Sequence, residues 1–351
     1  MFAMEQHLGH RTYYENLRAH VDEERFDARW VPIDYVTDGV LASFPMPVSL
    51  RAALAARQEV RRGIGTGSAD VHVFNTQVPA VLGGRRAWSR PYITITDVTP
   101  RQYDRMAAGY GHRADHGPIG WGKHHLNRHM FAGAAWCVGW SQWACDSFVA
   151  DYGVPTERTR VIPPGVDTGV WRPGPERDDG GFRLLFVGGE FKRKGGEQLL
   201  QAFASLPDDA ELTVVTRSEV PRHDRVRVVD DLVPNDPRLV DLYRSSDVFV
   251  LPTLAETFGI AAAEAAASGL AVVASDVGGL PDIVEHEVTG YTLPTGDEAA
   301  LGAALERLRA DPELRGRMGR RGREHAERYL DAATNARRLL ELVADVAGRG
   351  N

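Results

Sequence analysis

The stretch Pro252-Thr-Leu-Ala-Glu256-Thr-Phe-Gly259-Ile-Ala-Ala-Ala-Glu264 decides how the chain is read. It follows the apolar run Val248-Phe-Val-Leu251, which reads as a buried strand, and it opens a helix. In a parallel sheet the loop between such a strand and its helix lies at the carboxyl edge, where ligands bind. The backbone N–H groups of Phe258, Gly259 and Ile260 fall at the first turn of the helix, where unpaired donors and the macrodipole attract an anion such as a diphosphate. Gly259 lets a phosphate come close. Glu256 then sits in the loop and Glu264 about a turn and a half inside the helix. Two carboxylates so placed can accept hydrogen bonds from hydroxyls at opposite ends of a sugar nucleotide. Taken alone, they read equally as an acidic helix-start residue and a solvated helix position.

Working outward, the second half shows strands at Phe182–Gly188, Glu211–Thr216, Val248–Pro252 and Ala271–Ser275, with helices at Glu197–Phe203, Pro237–Ser245 and Ile260–Ser268. This is a complete doubly wound α/β series. The first half carries strand patterns at Arg29–Pro32, Val71–Asn75, Tyr92–Thr96 and Trp136–Trp140, with amphipathic helices around Tyr13–Val21, Leu50–Arg62 and Lys123–Ala134. Val161-Ile-Pro-Pro-Gly-Val-Asp167 closes it, and Trp171–Gly181, rich in Pro, Gly and charge, reads as an interdomain linker. The tail from Ala299 to Gly348 reads as two or three helices with opposite charges at helical spacing.

Composition bounds the rest. A chain of 351 residues, 43% hydrophobic and 25% charged, fits two soluble domains of roughly 150 residues each. A formal net charge of −7 gives no basic field for nucleic acid, while a small anionic ligand remains compatible. Cys137 and Cys145 are too few for a disulfide framework and read as buried small hydrophobes. The segment Met1–His10 has no apolar leader core, and no run approaches the roughly 20 apolar residues of a membrane span, so the expected location is the cytoplasm.

The run Glu256-Thr-Phe-Gly259, Glu264-Ala265, Ser268-Gly-Leu-Ala-Val-Val-Ala-Ser275 and Gly278-Gly-Leu-Pro-Asp-Ile-Val284 resembles the E-x7-E signature of the large retaining glycosyltransferase family 4. The resemblance covers about Ser141 to Tyr329. It implies a GT-B fold of two Rossmann-like domains facing a cleft: 1–170 binding the acceptor, 171–327 the nucleotide-sugar donor, and 328–351 a final helix crossing back to the first. It implies that Glu256 contacts the donor sugar, that Glu264 binds ribose hydroxyls, and that the amides of Phe258, Gly259 and Ile260 grip the diphosphate. Gly278-Gly279 reads as a structural turn.

Phe186-Val-Gly-Gly-Glu-Phe-Lys-Arg-Lys-Gly-Gly196 matches a second element of the family, a strand running into a glycine-rich basic loop. Fixed cations there stabilise the charge that develops on the leaving diphosphate. Lys194 matches the phosphate lysine, but Gly189 stands where an arginine is common. Lys192 or Arg193 supplies that charge instead; the bidentate guanidinium favours Arg193. Leu8-Gly9-His10 is similar to the family's glycine-bearing first loop, which places Gly9 and His10 near donor phosphate and acceptor. Asp97 occupies the place of a histidine that points at the reacting sugar in many relatives, so a carboxylate is expected to accept a hydroxyl hydrogen bond there. Its alternative role is a turn or helix cap beside Thr99-Pro100.

His112, His116, His124, His125 and His129 cluster near Trp121 without a complete metal-ligand pattern, and they read as polar surface; no metal is expected. Trp136, Trp140 and Trp143 read as core. The expected enzyme is a retaining hexosyltransferase that needs no cofactor beyond a UDP- or GDP-sugar donor. Its acceptor hydroxyl would belong to an unspecified small molecule, glycan or lipid-linked sugar. An epimerase or hydrolase of sugar nucleotides on the same fold is the alternative, and a catalytically silent subunit a weaker one. An NAD-linked oxidoreductase fits poorly, because no G-x-G-x-x-G follows a first strand.

Overall fold

The computed structural model describes residues 1–7, 9–22, 24–34, 48–65, 69–114, 116–175, 180–233 and 236–349, with backbone only for 48–53. The chain divides into two compact units. Unit 1 comprises 1–107, 113–164 and 333–351, and unit 2 comprises 108–112 and 165–332.

Unit 1 is built on six parallel strands, β1 (Phe2–Glu5), β2 (Trp30–Ile33), β3 (His72–Asn75), β4 (Tyr92–Thr96), β5 (Trp136–Gly139) and β6 (Thr159–Val161). Their order is β2-β1-β3-β4-β5-β6. Helices α1 (Gly9–Ala19), α2 (Val48–Gly65), α3 (Gln77–Gly83), α4 (Pro100–Arg105), α5 (Gly117–Gly133) and α6 (Gln142–Tyr152) join them. The sequence reading contains neither β1 nor β6. Phe2-Ala-Met-Glu is buried at all four positions, so it lacks the alternation that marks a half-exposed strand. Helix α5 begins six residues before the expected Lys123, because Gly117-Pro-Ile-Gly-Trp-Gly122 looks like a loop although proline is tolerated in a first turn.

Unit 2 repeats the architecture with β7 (Phe182–Val187), β8 (Ala210–Val215), β9 (Val226–Val229), β10 (Val248–Leu251), β11 (Ala271–Ser275) and β12 (Gly290–Leu293), in the order β12-β11-β10-β7-β8-β9. The connecting helices are α7 (Gly196–Ala204), α8 (Pro237–Arg244), α9 (Ile260–Ala267), α10 (Glu298–Ala310) and α11 (Pro312–His325). Strands β9 and β12 lie at the sheet edges and were not legible: β9 is half to fully exposed, and β12 starts at a glycine. Trp171, read as the start of a linker, is buried with its ring 5.1 Å from that of Tyr243, so the chain is already packed into unit 2 there. Residues 176–179 of the expected linker lie outside the described residues. The last helix, α12 (Ala332–Gly348), belongs from residue 333 onward to unit 1.

Each sheet therefore has one point where the strand order reverses, between β1 and β3 in unit 1 and between β7 and β10 in unit 2. The crevice outside the carboxyl ends at such a point is where an open parallel sheet takes a ligand.

Candidate functional site

In unit 2 the reversal point is walled by the loops after β7 and β10, and these carry the residues read from the sequence. Lys194 and Glu256 form an ion pair through Nζ and Oε2. Both are largely buried, with side chains 16% and 8% exposed, so neither is a solvated surface charge. Glu256 is held further by the Thr257 amide, which donates to Oε1 at 3.1 Å.

Glycine is demanded at two places in this wall. Gly195, at φ +79°, would put a Cβ 1.9 Å from the Pro252 carbonyl oxygen, and Gly278, at φ +62°, would put one 2.0 Å from that of Glu256. The β7 loop and the Gly278-Gly279 turn are thus pressed onto the Glu256 loop from two sides. The Gly279 amide completes that contact by donating to Thr257 O at 3.0 Å.

Arg193 is built into the same wall. Its Nη1 donates to Ala255 O at 2.7 Å, its Nε to Glu190 Oε2 at 2.5 Å, and its guanidinium lies 4.6 Å from the centre of the Tyr110 ring. The Leu254 amide donates to its carbonyl at 2.8 Å. Arg193, expected to supply charge to a leaving group, has its guanidinium held against the Glu256 loop by these contacts. Lys192, its alternative, is 81% exposed and pairs with Glu197 at 3.1 Å.

Helix α9 begins at Gly259, whose φ of +102° caps it without any side-chain bond. The Ile260 and Ala261 amides have no acceptor within the helix by geometry, while the Ala262 amide donates to Gly259 O at 2.9 Å. Phe258 is buried, and Ile260 opens the helix. Glu264 follows one turn in and is buried, 7% exposed, so the solvated-helix reading fails. The Tyr243 hydroxyl donates to Glu264 Oε2 at 3.1 Å, and burial pushes the Glu264 carboxyl up to about 8 despite that bond. Tyr243 was missed in the sequence, where nothing distinguishes it from any apolar-face residue of α8.

Unit 1 holds a second polar cluster at its own reversal point. Gly9 opens α1. The His10 ring lies against Trp140, with centroids 4.7 Å apart, and its Nε2 is 3.5 Å from Asp97 Oδ1. Burial alone would lower the His10 pKa, but the carboxylates of Asp97 and Glu5 outweigh it and raise it. Asp97 does not cap the following helix; Thr99 does, in a capping box with Gln102. Thr76, a β-branched residue at φ 71°, donates to Glu5 Oε1 at 2.5 Å. Glu5, Asn75 and Thr76 were not foreseen, since only the fold brings the end of β3 beside that of β1. Leu8 lies outside the described residues.

The histidines on α5 take different partners, although the rings of His124 and His125 stay 5.7 Å apart. His124 accepts from Arg101 and lies against Tyr152, His125 is stacked on Trp121, and His129 faces Trp88. Among the described residues no three His, Cys, Asp or Glu side chains come together as metal ligands. Trp140 is core, whereas Trp136 and Trp143 are only partly buried. Both cysteines are buried, and neither is in a disulfide. No described helix is long and apolar enough to cross a membrane.

Two Rossmann-like parallel α/β units of this kind define the GT-B class of fold, and solved structures agree. Sucrose-phosphate synthase from Thermosynechococcus elongatus aligns with a TM-score of 0.75 at 21% identity over 97% of this chain and 92% of that one. Anabaena HepE in complex with UDP aligns at 0.71 and 16% identity, over 98% and 99%. The chain belongs to glycosyltransferase family 4: the pattern of Glycosyltransferase Family 4 matches residues 7–170, and that of Glycosyl transferases group 1 matches 167–325. It is 30% identical over 235 residues to D-inositol 3-phosphate glycosyltransferase of Corynebacterium kroppenstedtii. That match covers 58% of this chain and 52% of the relative, so the chain spans about half the length of the curated relatives it matches.

Proposed function

We propose that the protein transfers a hexosyl group from a nucleotide diphosphate sugar, UDP- or GDP-linked, to an acceptor hydroxyl with retention of configuration and without a metal. The observation that carries this reading is the ion pair of half-buried Lys194 with buried Glu256 beside the start of α9, with Glu264 one turn inside it. Lys194 and the first-turn amides of Phe258 to Ile260 meet the diphosphate, Glu256 the donor sugar, and Glu264 the ribose. As the bond from the anomeric carbon to the diphosphate breaks, negative charge grows on the leaving oxygen, and a fixed ammonium and helix dipole stabilise it. The acceptor hydroxyl attacks from the same side and gives its proton to that oxygen, so no side-chain nucleophile is needed. Orientation and electrostatics supply the rate. Unit 2 is then the donor-binding part and unit 1, with Gly9, His10 and Asp97, the acceptor part. The cytoplasm is the proposed location.

The test is a thermal-shift screen with UDP, GDP and ADP and their sugar derivatives. A ligand at 100 times its dissociation constant adds about 2.7 kcal/mol of stability. No shift with any of them would overturn the donor assignment. Steady nucleotide release or an epimerised sugar from the donor alone would replace transfer by hydrolysis or epimerisation.

A further inference from the structure

A short piece of the first half of the sequence belongs to unit 2. The chain leaves unit 1 after Ala107, runs through 108–112 as part of unit 2, and returns to unit 1 at Arg113. A single helical turn, Ala107–Tyr110, carries it in. Gly111 follows at φ +65°, a left-handed conformation that glycine takes without strain. The stretch Ala107-Ala-Gly-Tyr-Gly111 carries no charge.

What this segment touches is the wall that carries Glu256. Gly109 packs on the loop after β10 so closely that a Cβ there would come within 2.5 Å of the Ala255 Cβ. Tyr110, half-buried, presents its ring to the Arg193 guanidinium, 4.6 Å from the ring centre. That guanidinium is fixed further by Glu190 and by its bond to the Ala255 carbonyl. The buried Thr253 hydroxyl lies 2.9 Å from the same carbonyl. Because the peptide unit is planar, holding Ala255 O fixes the direction in which the chain enters Glu256. The ring thus restrains the guanidinium, the guanidinium restrains the carbonyl, and the carbonyl sets the backbone of Glu256. Lys194 stands outside this series, since its amide donates to Glu190 O at 2.9 Å within the turn of its own loop.

We propose that Tyr110 is a positioning residue for the donor sugar: stacked on Arg193, it holds the Ala255 carbonyl and so sets Glu256 for the sugar hydroxyls, which makes the segment 108–112 part of the donor-sugar machinery. The proposal rests on the assignment of Glu256 to the donor sugar. A cation–π contact suits the task, because it restrains the guanidinium without taking a hydrogen bond away from Ala255. The aromatic ring is what matters, and the phenol hydroxyl is not required.

Calorimetry compares free UDP and GDP with UDP-glucose, UDP-galactose, UDP-N-acetylglucosamine and GDP-mannose, using the sugar nucleotide that the wild type binds and its free diphosphate. Tyr110→Leu should weaken the sugar nucleotide by roughly 3- to 30-fold, the range that a cation–π contact spans, and leave the free diphosphate unchanged. Tyr110→Phe keeps the ring and should match the wild type. Gly109→Ala pushes the segment off Ala255 without touching the ring or any charge, and it should show the same split, so the test survives a leucine variant that does not fold. Arg193→Lys keeps the charge but loses the fork that reaches Ala255. Combined with Tyr110→Leu it should lose no more than the larger single loss, because both act through one contact. Additive losses, equal weakening of the free and the sugar-linked nucleotide, or wild-type affinities in Tyr110→Leu would each overturn the proposal while leaving the donor assignment intact. Wild-type protein that binds none of these sugar nucleotides overturns the donor assignment, and this proposal with it.

Discussion

The two reversal points of the molecule carry the same kind of device built from different chemistry. In unit 2 the loops after neighbouring strands β7 and β10 pair Lys194 with Glu256. In unit 1 the first turn of α1, which follows β1, and the loop after β4 pair His10 with Asp97, with Glu5 and Asn75 close by. Both are half-buried or buried acid–base pairs at the carboxyl edge of a parallel sheet. The difference lies in what titrates. A lysine ammonium is a compact point charge, whereas an imidazole is the side chain that changes charge near neutral pH. Unit 2 thus presents a fixed field, suited to a charge that grows in a transition state, and unit 1 presents one that responds to pH and to what binds.

The fixed field gives the largest expected effect. Lys194→Ala should lower turnover by roughly 10²-fold or more, the scale for losing one preorganised stabilising group. Turnover should persist after exhaustive chelation with EDTA, because the lysine and the helix start take the part a divalent cation plays elsewhere. Activity lost on chelation and restored by magnesium or manganese would show that the Lys194 field is not sufficient.

Within unit 2 the two glutamates should separate. Glu264→Ala should weaken free UDP or GDP by about 1.5–3 kcal/mol, the worth of charged hydrogen bonds. Glu256→Ala should leave the free nucleotide nearly unchanged and weaken the intact sugar nucleotide or its turnover. Equal losses of free nucleotide in both variants, by calorimetry, would mean that the signature has been placed on the ligand wrongly. Without ligand, Glu264 makes a different contribution. Its pKa is about 8 in the fold against 4.5 when unfolded, so between those values the native state holds a proton that the unfolded chain gives up. Stability therefore falls as pH rises from about 4.5 to 8, and Glu264→Gln should flatten that part of the Tm curve. A parallel fall in wild type and variant would assign the slope to other groups.

How far the sequence carried the reading differs between the units for the same physical reason. In unit 2 the chemistry lies within short contiguous stretches, Phe186–Gly196 and Pro252–Glu264, whose glycines and charges are spaced by local backbone geometry. Lys194, Glu256 and Glu264 could be named from them. What local spacing could not tell was the side-chain direction: Arg193 turns inward to Ala255 because the two loops are pressed together at Gly195. The partner that governs Glu264, Tyr243, comes from a helix 21 residues away in sequence. In unit 1 the cluster draws single residues from β1, β3 and β4 and their loops, 71 residues apart in the case of Glu5 and Thr76. Such a set is assembled by strand order alone. Its first strand was invisible because a fully buried parallel strand has no alternation to read.

The smallest expected effect tests the responsive side of the comparison. His10 is buried, which by itself lowers its pKa, yet Asp97 and Glu5 raise it above the ordinary value of 6.5. The charged pair therefore stabilises the fold below about pH 6.5, where the unfolded histidine is protonated too, and relative to that limit the contribution is lost as pH rises through the folded value. Asp97→Asn keeps the shape and removes the nearer carboxylate, leaving burial opposed by Glu5 and by the Asn75 hydrogen bond. The His10 titration, followed by imidazole ¹⁵N–¹H spectra, should then move to lower pH, and Glu5→Gln should move it in the same direction but less, since Asp97 acts on His10 both through charge and through a hydrogen bond. An unchanged His10 titration in Asp97→Asn would mean that the imidazole is governed by burial and not by its pair, and the distinction between a fixed and a responsive edge would fall.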